Sequence, residues 1–153
     1  MKFISRAIQL AAEHSASGNN GPFGAVIVKD DKIIAEGWNR VVELNDPTAH
    51  AEMNAIKSAC QSLQTPDISG ATLYTSCEPC PMCLAATYWA GIDTVIYACD
   101  RHDAEAINFD DNAIYQEMQL DNPNKKIKLT QESHKEGLKV FEDWKNNEKK
   151  IMY

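Results

Sequence analysis

One stretch of this chain narrows its possible folds more than any other. Ala71–Ser76 is rich in β-formers, Glu78-Pro79 reads as a helix start, residues 80–90 continue that helix, and Asp93–Cys99 returns to β through Thr94, Val95, Ile96 and Tyr97. Strand, helix and strand in so short a span make a βαβ unit, which pairs its strands in parallel through a right-handed crossover. Parallel strands need helices over the sheet faces, so the chain reads as α/β.

The flanking segments extend that reading. Phe3, Ala7, Leu10 or Ala11 and His14 recur at helical spacing, so residues 2–17 read as an amphipathic helix that stops at Gly18-Asn19-Asn20-Gly21-Pro22. Ala25–Val28 reads as a strand, Asp30-Asp31 as a tight turn, and Lys32–Trp38 as the returning strand of a hairpin. A loop runs through Asn45-Asp46-Pro47, and residues 49–63 form a second helix. Residues 111–119 look helical, Ile127–Gln131 reads as a fifth strand, and Leu138, Phe141 and Trp144 mark a last helix ahead of Ile151-Met152-Tyr153. The expectation is a three-layer α/β/α architecture around a central mixed five-stranded sheet. At 153 residues the chain is expected to form a single domain, 1–153, with 132–153 a C-terminal helix and tail.

Composition bounds the chemistry. The net charge of -7 disfavours a nucleic-acid partner. It is uneven, since residues 125–153 carry eight lysines against five acids. Such a basic tail could dock on an acidic body. The longest unbroken apolar runs, Met82–Ala86 and Val95–Cys99, are far too short to cross a membrane. Arg6, Gln9 and Glu13 interrupt the N-terminal apolar stretch, which is no signal peptide. The five cysteines are an odd number, and three crowd together at Cys77, Cys80 and Cys83. That suits metal or reactive chemistry in a reducing, cytoplasmic setting better than a disulfide framework.

Two segments carry that chemistry: Thr48-Ala49-His50-Ala51-Glu52 and Glu78-Pro79-Cys80-Pro81-Met82-Cys83. One imidazole and two thiolates suit zinc, and three protein ligands leave a fourth position open, as in a catalytic site. Cys80 and Cys83 are three apart and share one helix face, with Pro79 and Pro81 placing them in its first turn. His50 and Glu52 are two apart, about 200° around a regular helix, and cannot both face one site from its interior. The conflict eases if His50 sits at the helix start, where Asp46, Pro47 and Thr48 supply capping chemistry. Two helix N-termini should therefore converge on the metal, leaving Glu52 as an unbound carboxylate able to take a proton from water.

Other readings stay open from the residues alone. Cys77-x2-Cys80-x2-Cys83 could open an iron–sulfur run, although the fourth cysteine position holds Thr87. Cys80 and Cys83 could form a redox pair, which has no use for His50 or Glu52. A structural zinc could take Cys77 as fourth ligand. More simply, Cys77 is a strand-end core thiol, Cys60 and Cys99 are packing residues, and His14, His102 and His134 are surface groups.

The His-x-Glu … Pro-Cys-x-x-Cys pattern resembles that of the zinc-dependent nucleobase deaminases. Gly21–Val28, Asn45–Glu52, Leu73–Cys83, Phe109-Asp110-Asp111 and the tail ending in Tyr153 together resemble the cytidine deaminase-like superfamily, in particular its short bacterial guanine deaminases. The resemblance implies a cytidine deaminase-like fold and hydrolysis of guanine to xanthine. It implies one zinc per subunit on His50, Cys80 and Cys83, with Glu52 shuttling protons. Asn39 would read the purine edge, its carboxamide offering both donor and acceptor. Phe23 and Trp89 would wall the ring, Ala51 would line the substrate, and Tyr153 would close the pocket. Asp111 would be the acid near the amino group, with Asp110 the fallback. A homodimer with exchanged C-terminal segments is also implied. Guanosine, cytosine and adenosine in tRNA are rival substrates, and a structural zinc or binding module is the non-enzyme rival.

Overall fold

The structure, a computed structural model, describes residues 2–153. In chain order its elements are α1 (Phe3–Ser15), β1 (Gly24–Lys29), β2 (Lys32–Trp38), α2 (Val41–Leu44), α3 (Ala51–Leu63), β3 (Thr72–Cys77), α4 (Pro81–Trp89), β4 (Thr94–Cys99), α5 (Arg101–Glu105), α6 (Asp111–Met118), a 3-10 turn (Asn122–Asn124) and α7 (His134–Lys145). The chain falls into two compact units, the second being Gln116–Tyr153.

The first unit is built on the sheet, in the order β2-β1-β3-β4. β1 is antiparallel to both β2 and β3, and β3 is parallel to β4 through the α4 crossover. Asp30 and Asp31 both take positive φ, the geometry of the two-residue turn whose twist matches a hairpin. Alternate side chains of β1 feed two cores. Val26 and Val28 meet Leu10 of α1 on one face. Ala25 and Ile27 meet Ala51, Ala55 and Ala59 of α3 on the other. The helices come close because two strand positions lack a side chain. A Cβ at Gly24 would collide with the backbone of Ala7 and Ala11, and one at Gly37 with the backbone of Ala51 and Ala55.

The sheet has four strands, not the expected five. Ile127–Gln131 forms no strand, and Ile127 and Leu129 are exposed. Ile127 and Leu129 alternate with lysines, as a half-buried strand would, but a strand exists only by pairing. Among the described residues of the second unit there is no other strand to pair with. In that unit α7 carries Leu138, Phe141 and Trp144 at helical spacing, all exposed.

Smaller differences have local causes. The loop before Asn45 contains the single turn α2, ended by Asn45 in the left-handed region. Asp100 and Asp103 form a reciprocal capping box that starts α5. His14 is not a free surface group: its ring stacks on Trp38 at 3.8 Å and 3°. Cys99 is exposed on edge strand β4 rather than packed. Among the described residues no helix is long and apolar enough to cross a membrane.

Candidate metal centre and substrate cavity

The two chemistry-bearing segments meet where α3 and α4 begin. His50 is the N-cap of α3 in extended backbone geometry (φ -70, ψ 159), so its side chain leaves the helical pattern. That is how His50 and Glu52 face one place despite their spacing. Asn54 holds the approach to α3, donating to the carbonyls of Trp38 (2.8 Å) and Ala49 (3.2 Å). Cys80 is likewise the N-cap of α4, one position earlier than the first turn expected from sequence, with Pro81 following it.

His50 Nδ1 lies 3.6 Å from Cys80 Sγ and 3.5 Å from Cys83 Sγ. Tetrahedral zinc with ordinary Zn–N and Zn–S lengths puts nitrogen and sulfur about 3.5 Å apart. These donors are thus preformed for a zinc ion, and they are the group of metal-ligating side chains found among the described residues. The pair of thiols carries one negative charge between them: Cys80 is held down to about 4 by its hydrogen bond from Cys83, with His50 adding to the effect, while the Cys83 thiol is pushed up by the same bond and by burial. A divalent cation would let both act as thiolates. The His50 imidazole is raised by its hydrogen bond to Cys80. Cys77 is different. Burial, then the charge of Glu52, pushes it up to about 12, and its Sγ donates to the Asp100 carbonyl at 3.5 Å. It is a protonated core thiol, which disfavours Cys77 as a fourth ligand or as part of an iron–sulfur run.

Glu52 is buried beside the ligands. Its Oε1 accepts from Thr75 Oγ1 at 3.0 Å, and its Oε2 lies 3.5 Å from Cys83 Sγ. Burial raises its carboxyl above the ordinary range, partly offset by its own backbone N–H and the Thr75 hydroxyl. Thr75 went unnoticed in the sequence, since threonine is common in strands and gives no distinguishing signal.

A cavity of about 520 Å³ opens onto this centre. Its lining includes His50, Glu52, Asn39, Phe23, Phe109 and Asp111. Phe109 packs edge-on against Phe23 at 4.8 Å and 89°, a second aromatic wall from a segment that the resemblance marked without giving Phe109 that role. Asn39 Oδ1 accepts from the backbone N–H of Gly21 and of Val41, each at 3.3 Å. Backbone N–H can only donate, so the oxygen is committed and the amide N–H2 is what Asn39 has left to offer. Asp111 is half-buried, its carboxyl raised by burial and by the negative charge of Cys80. Asp110 instead caps α6, accepting from Ala113 N at 2.9 Å. Ala51 is fully buried under Gly37. Trp89, at the end of α4, is 78 % exposed and outside the lining. Tyr153 lies in the second unit and is exposed there.

A mixed α/β sheet that brings one histidine, two cysteines and an unbound glutamate to paired helix N-termini defines a zinc-dependent deaminase: the chain belongs to the family of the cytidine and deoxycytidylate deaminase zinc-binding region, which matches residues 1–99. More particularly, it is 48% identical to the guanine deaminase of Bacillus subtilis over 151 residues, 99% of this chain and 97% of that one. The crystal structure of the Bacillus subtilis guanine deaminase superposes with a TM-score of 0.94, covering 99% of this chain and 96% of that chain at 48% identity. The guanine deaminase of Nitrosomonas europaea superposes at 0.67 with 34% identity, over 71% of this chain and 63% of that one. A tRNA-specific adenosine deaminase of Aquifex aeolicus is 51% identical, but over 77 residues, 50% of this chain and 51% of that protein.

Proposed function

We propose that this protein is a zinc-dependent guanine deaminase, hydrolysing guanine to xanthine and ammonia. The observation that carries this reading is the full-length likeness to the Bacillus subtilis guanine deaminase, which continues past residue 99, where the family match ends, through Asp111 and the C-terminal segment. The likeness to tRNA-specific adenosine deaminases covers less of the chain, from 50% to 69% of it, and a net charge of -7 suits a small neutral base better than a polyanion.

In this reading water adds at C2 of the purine, the bond from C2 to the amino nitrogen breaks, and ammonia leaves. Zinc on His50, Cys80 and Cys83 supplies a Lewis acid that brings a water's pKa to about 7. Glu52 moves both protons of that water: it takes one as the water adds and gives it to the ring nitrogen beside C2, then takes the second from the new C2 hydroxyl and delivers it to the departing amine. A buried carboxyl raised above its ordinary range suits that traffic, because it holds a proton more firmly than a free carboxylate does and still gives it up. Asn39 donates its amide N–H to an acceptor on the purine edge. Phe23, braced by Phe109, stacks on the ring, Ala51 backs the cavity wall between His50 and Glu52 at the head of α3, and Asp111 accepts from the amino group. Asp110 supports Asp111 by capping its helix.

Trp89 and Tyr153 enter this reading through a second copy of the chain. β4 is an exposed edge, and Tyr88, Trp89, Ile96 and Tyr97 leave an apolar face beside it. A homodimer covers that face, and the basic, apolar C-terminal segment of one copy closes the cavity of the other. The setting is the cytoplasm, where all five free cysteines stay reduced.

A substrate panel tests the assignment. Ammonia release is followed from guanine, guanosine, cytosine, adenine and an adenosine-containing tRNA stem-loop, with and without a chelator. Guanine should be turned over fastest, with activity lost on chelation and restored by zinc. Preference for guanosine or the stem-loop would overturn the substrate, and full activity without zinc would overturn the mechanism.

A further inference from the structure

The turn that carries Cys80 is latched from outside the metal site. Glu78 N donates to the Cys99 carbonyl at 2.8 Å, joining the turn to the end of β4. The Glu78 carboxylate accepts two bonds from the Arg101 guanidinium, at 2.8 and 3.2 Å, and one from the Arg101 backbone N–H at 3.1 Å. The carbonyl of buried Pro79 accepts from Tyr115 Oη at 2.7 Å. The Arg101 guanidinium lies over the Tyr115 ring, 4.2 Å from its centroid.

Tyr115 and Asp111 are four residues apart on α6, and so lie on one helix face. Asp111 is the first residue of that helix and lines the cavity. One turn further along, the same helix face is tied to the residue immediately before the metal ligand Cys80. α6 has no buried residue to anchor it by packing, so this hydroxyl is its specific tie to the turn. Loss of the tie leaves Asp111 free to shift relative to the metal, and a shift of about 1 Å in a substrate-holding group can cost ~100-fold in rate.

We infer that Tyr115 is a positioning residue: its bond to the Pro79 carbonyl, braced by Arg101, sets the distance between the Asp111 carboxylate and the metal centre. The inference rests on the guanine deaminase reading, and it makes Asp111 a group whose placement is controlled from four residues away. Tyr115→Phe keeps the ring and its contact with Arg101 and removes only the hydroxyl.

The test is a double-mutant cycle on the zinc-loaded, full-length protein with guanine as substrate, using Tyr115→Phe, Asp111→Asn and the double variant. Tyr115→Phe should lower kcat/KM about tenfold, the scale of one hydrogen bond to a buried group. It should weaken binding of 8-azaguanine similarly by calorimetry, while zinc content stays as in the parent and the melting temperature falls by no more than a few degrees. In the Asp111→Asn background the same change should cost less than twofold, because the group it positions is already disabled. A full tenfold loss in both backgrounds would overturn the inference, as would an unchanged kcat/KM in Tyr115→Phe. Loss of zinc from Tyr115→Phe would also overturn it, by showing that the hydroxyl serves the ligand turn alone. If the unmodified protein does not turn over guanine, the substrate reading fails rather than this one.

Discussion

At the scale of single residues, burial separates groups of the same chemistry into different roles. Cys77, Cys80 and Cys83 sit within seven positions, yet Cys77 is a strand-end thiol pushed up to about 12 while Cys80 is held down to about 4. Asp110 and Asp111 are neighbours, and one caps a helix while the other lines the cavity. Glu52 is the group whose loss is most informative. Glu52→Gln should keep stoichiometric zinc and lose at least ~100-fold in kcat, the low end for removing a general acid–base. Metal analysis and steady-state kinetics check both halves. Thr75→Val removes the hydroxyl that helps hold the Glu52 carboxyl down against burial. The carboxyl then rises further, and because the ionised form must start the reaction, the acidic limb of the kcat/KM profile should move to higher pH. A limb that stays in place or moves to lower pH would remove Thr75 from the account.

At the scale of elements, the site depends on how closely helices ride on the sheet. α3 can bring His50 and Glu52 to the end of β2 because Gly37 has no side chain where Ala51 and Ala55 pass. Gly37→Ala places a methyl against backbone, which cannot rotate away. The first turn of α3 should lift, destabilising the fold by about 1–3 kcal/mol and weakening zinc binding along with activity. Thermal melting and a chelator competition measure the two effects, and a variant that melts and binds zinc like the parent would refute the packing argument. Most elements were legible in the sequence. The hairpin follows from Asp30-Asp31 between apolar runs, and the βαβ unit from the alternation of β-rich and helical segments. The capping box of Asp100 and Asp103 is written in the chain as well, and α5 could have been read from it. The fifth strand failed for a reason no local pattern reveals: Ile127–Gln131 alternates correctly, and the second unit holds no strand to receive it.

At the scale of the whole molecule, Tyr88, Trp89, Ile96 and Tyr97 beside β4 and Leu138, Phe141 and Trp144 of α7 are large apolar side chains left exposed, and exposed apolar patches mark interaction surfaces. The homodimer proposed above accounts for both. Ile96→Glu, on the exposed edge strand, should shift the protein from dimer to monomer by analytical ultracentrifugation, and guanine turnover should fall with it. A chain lacking residues 148–153 should remain folded and zinc-loaded while losing guanine turnover. Full turnover in that shortened chain would dismiss the closing role of Tyr153. By itself the sequence pointed to the metal donors, the unbound glutamate beside them and the α/β class, because ligand chemistry and periodicity are local properties of residue type and spacing. Only the tertiary structure decided that His50 escapes its helix as an N-cap, that Asn39 offers a donor alone, that Thr75 backs Glu52, and that Tyr115 bonds the turn before Cys80. Each of those depends on which backbone groups residues distant in the chain bring within hydrogen-bond reach, and spacing along a sequence does not encode that distance.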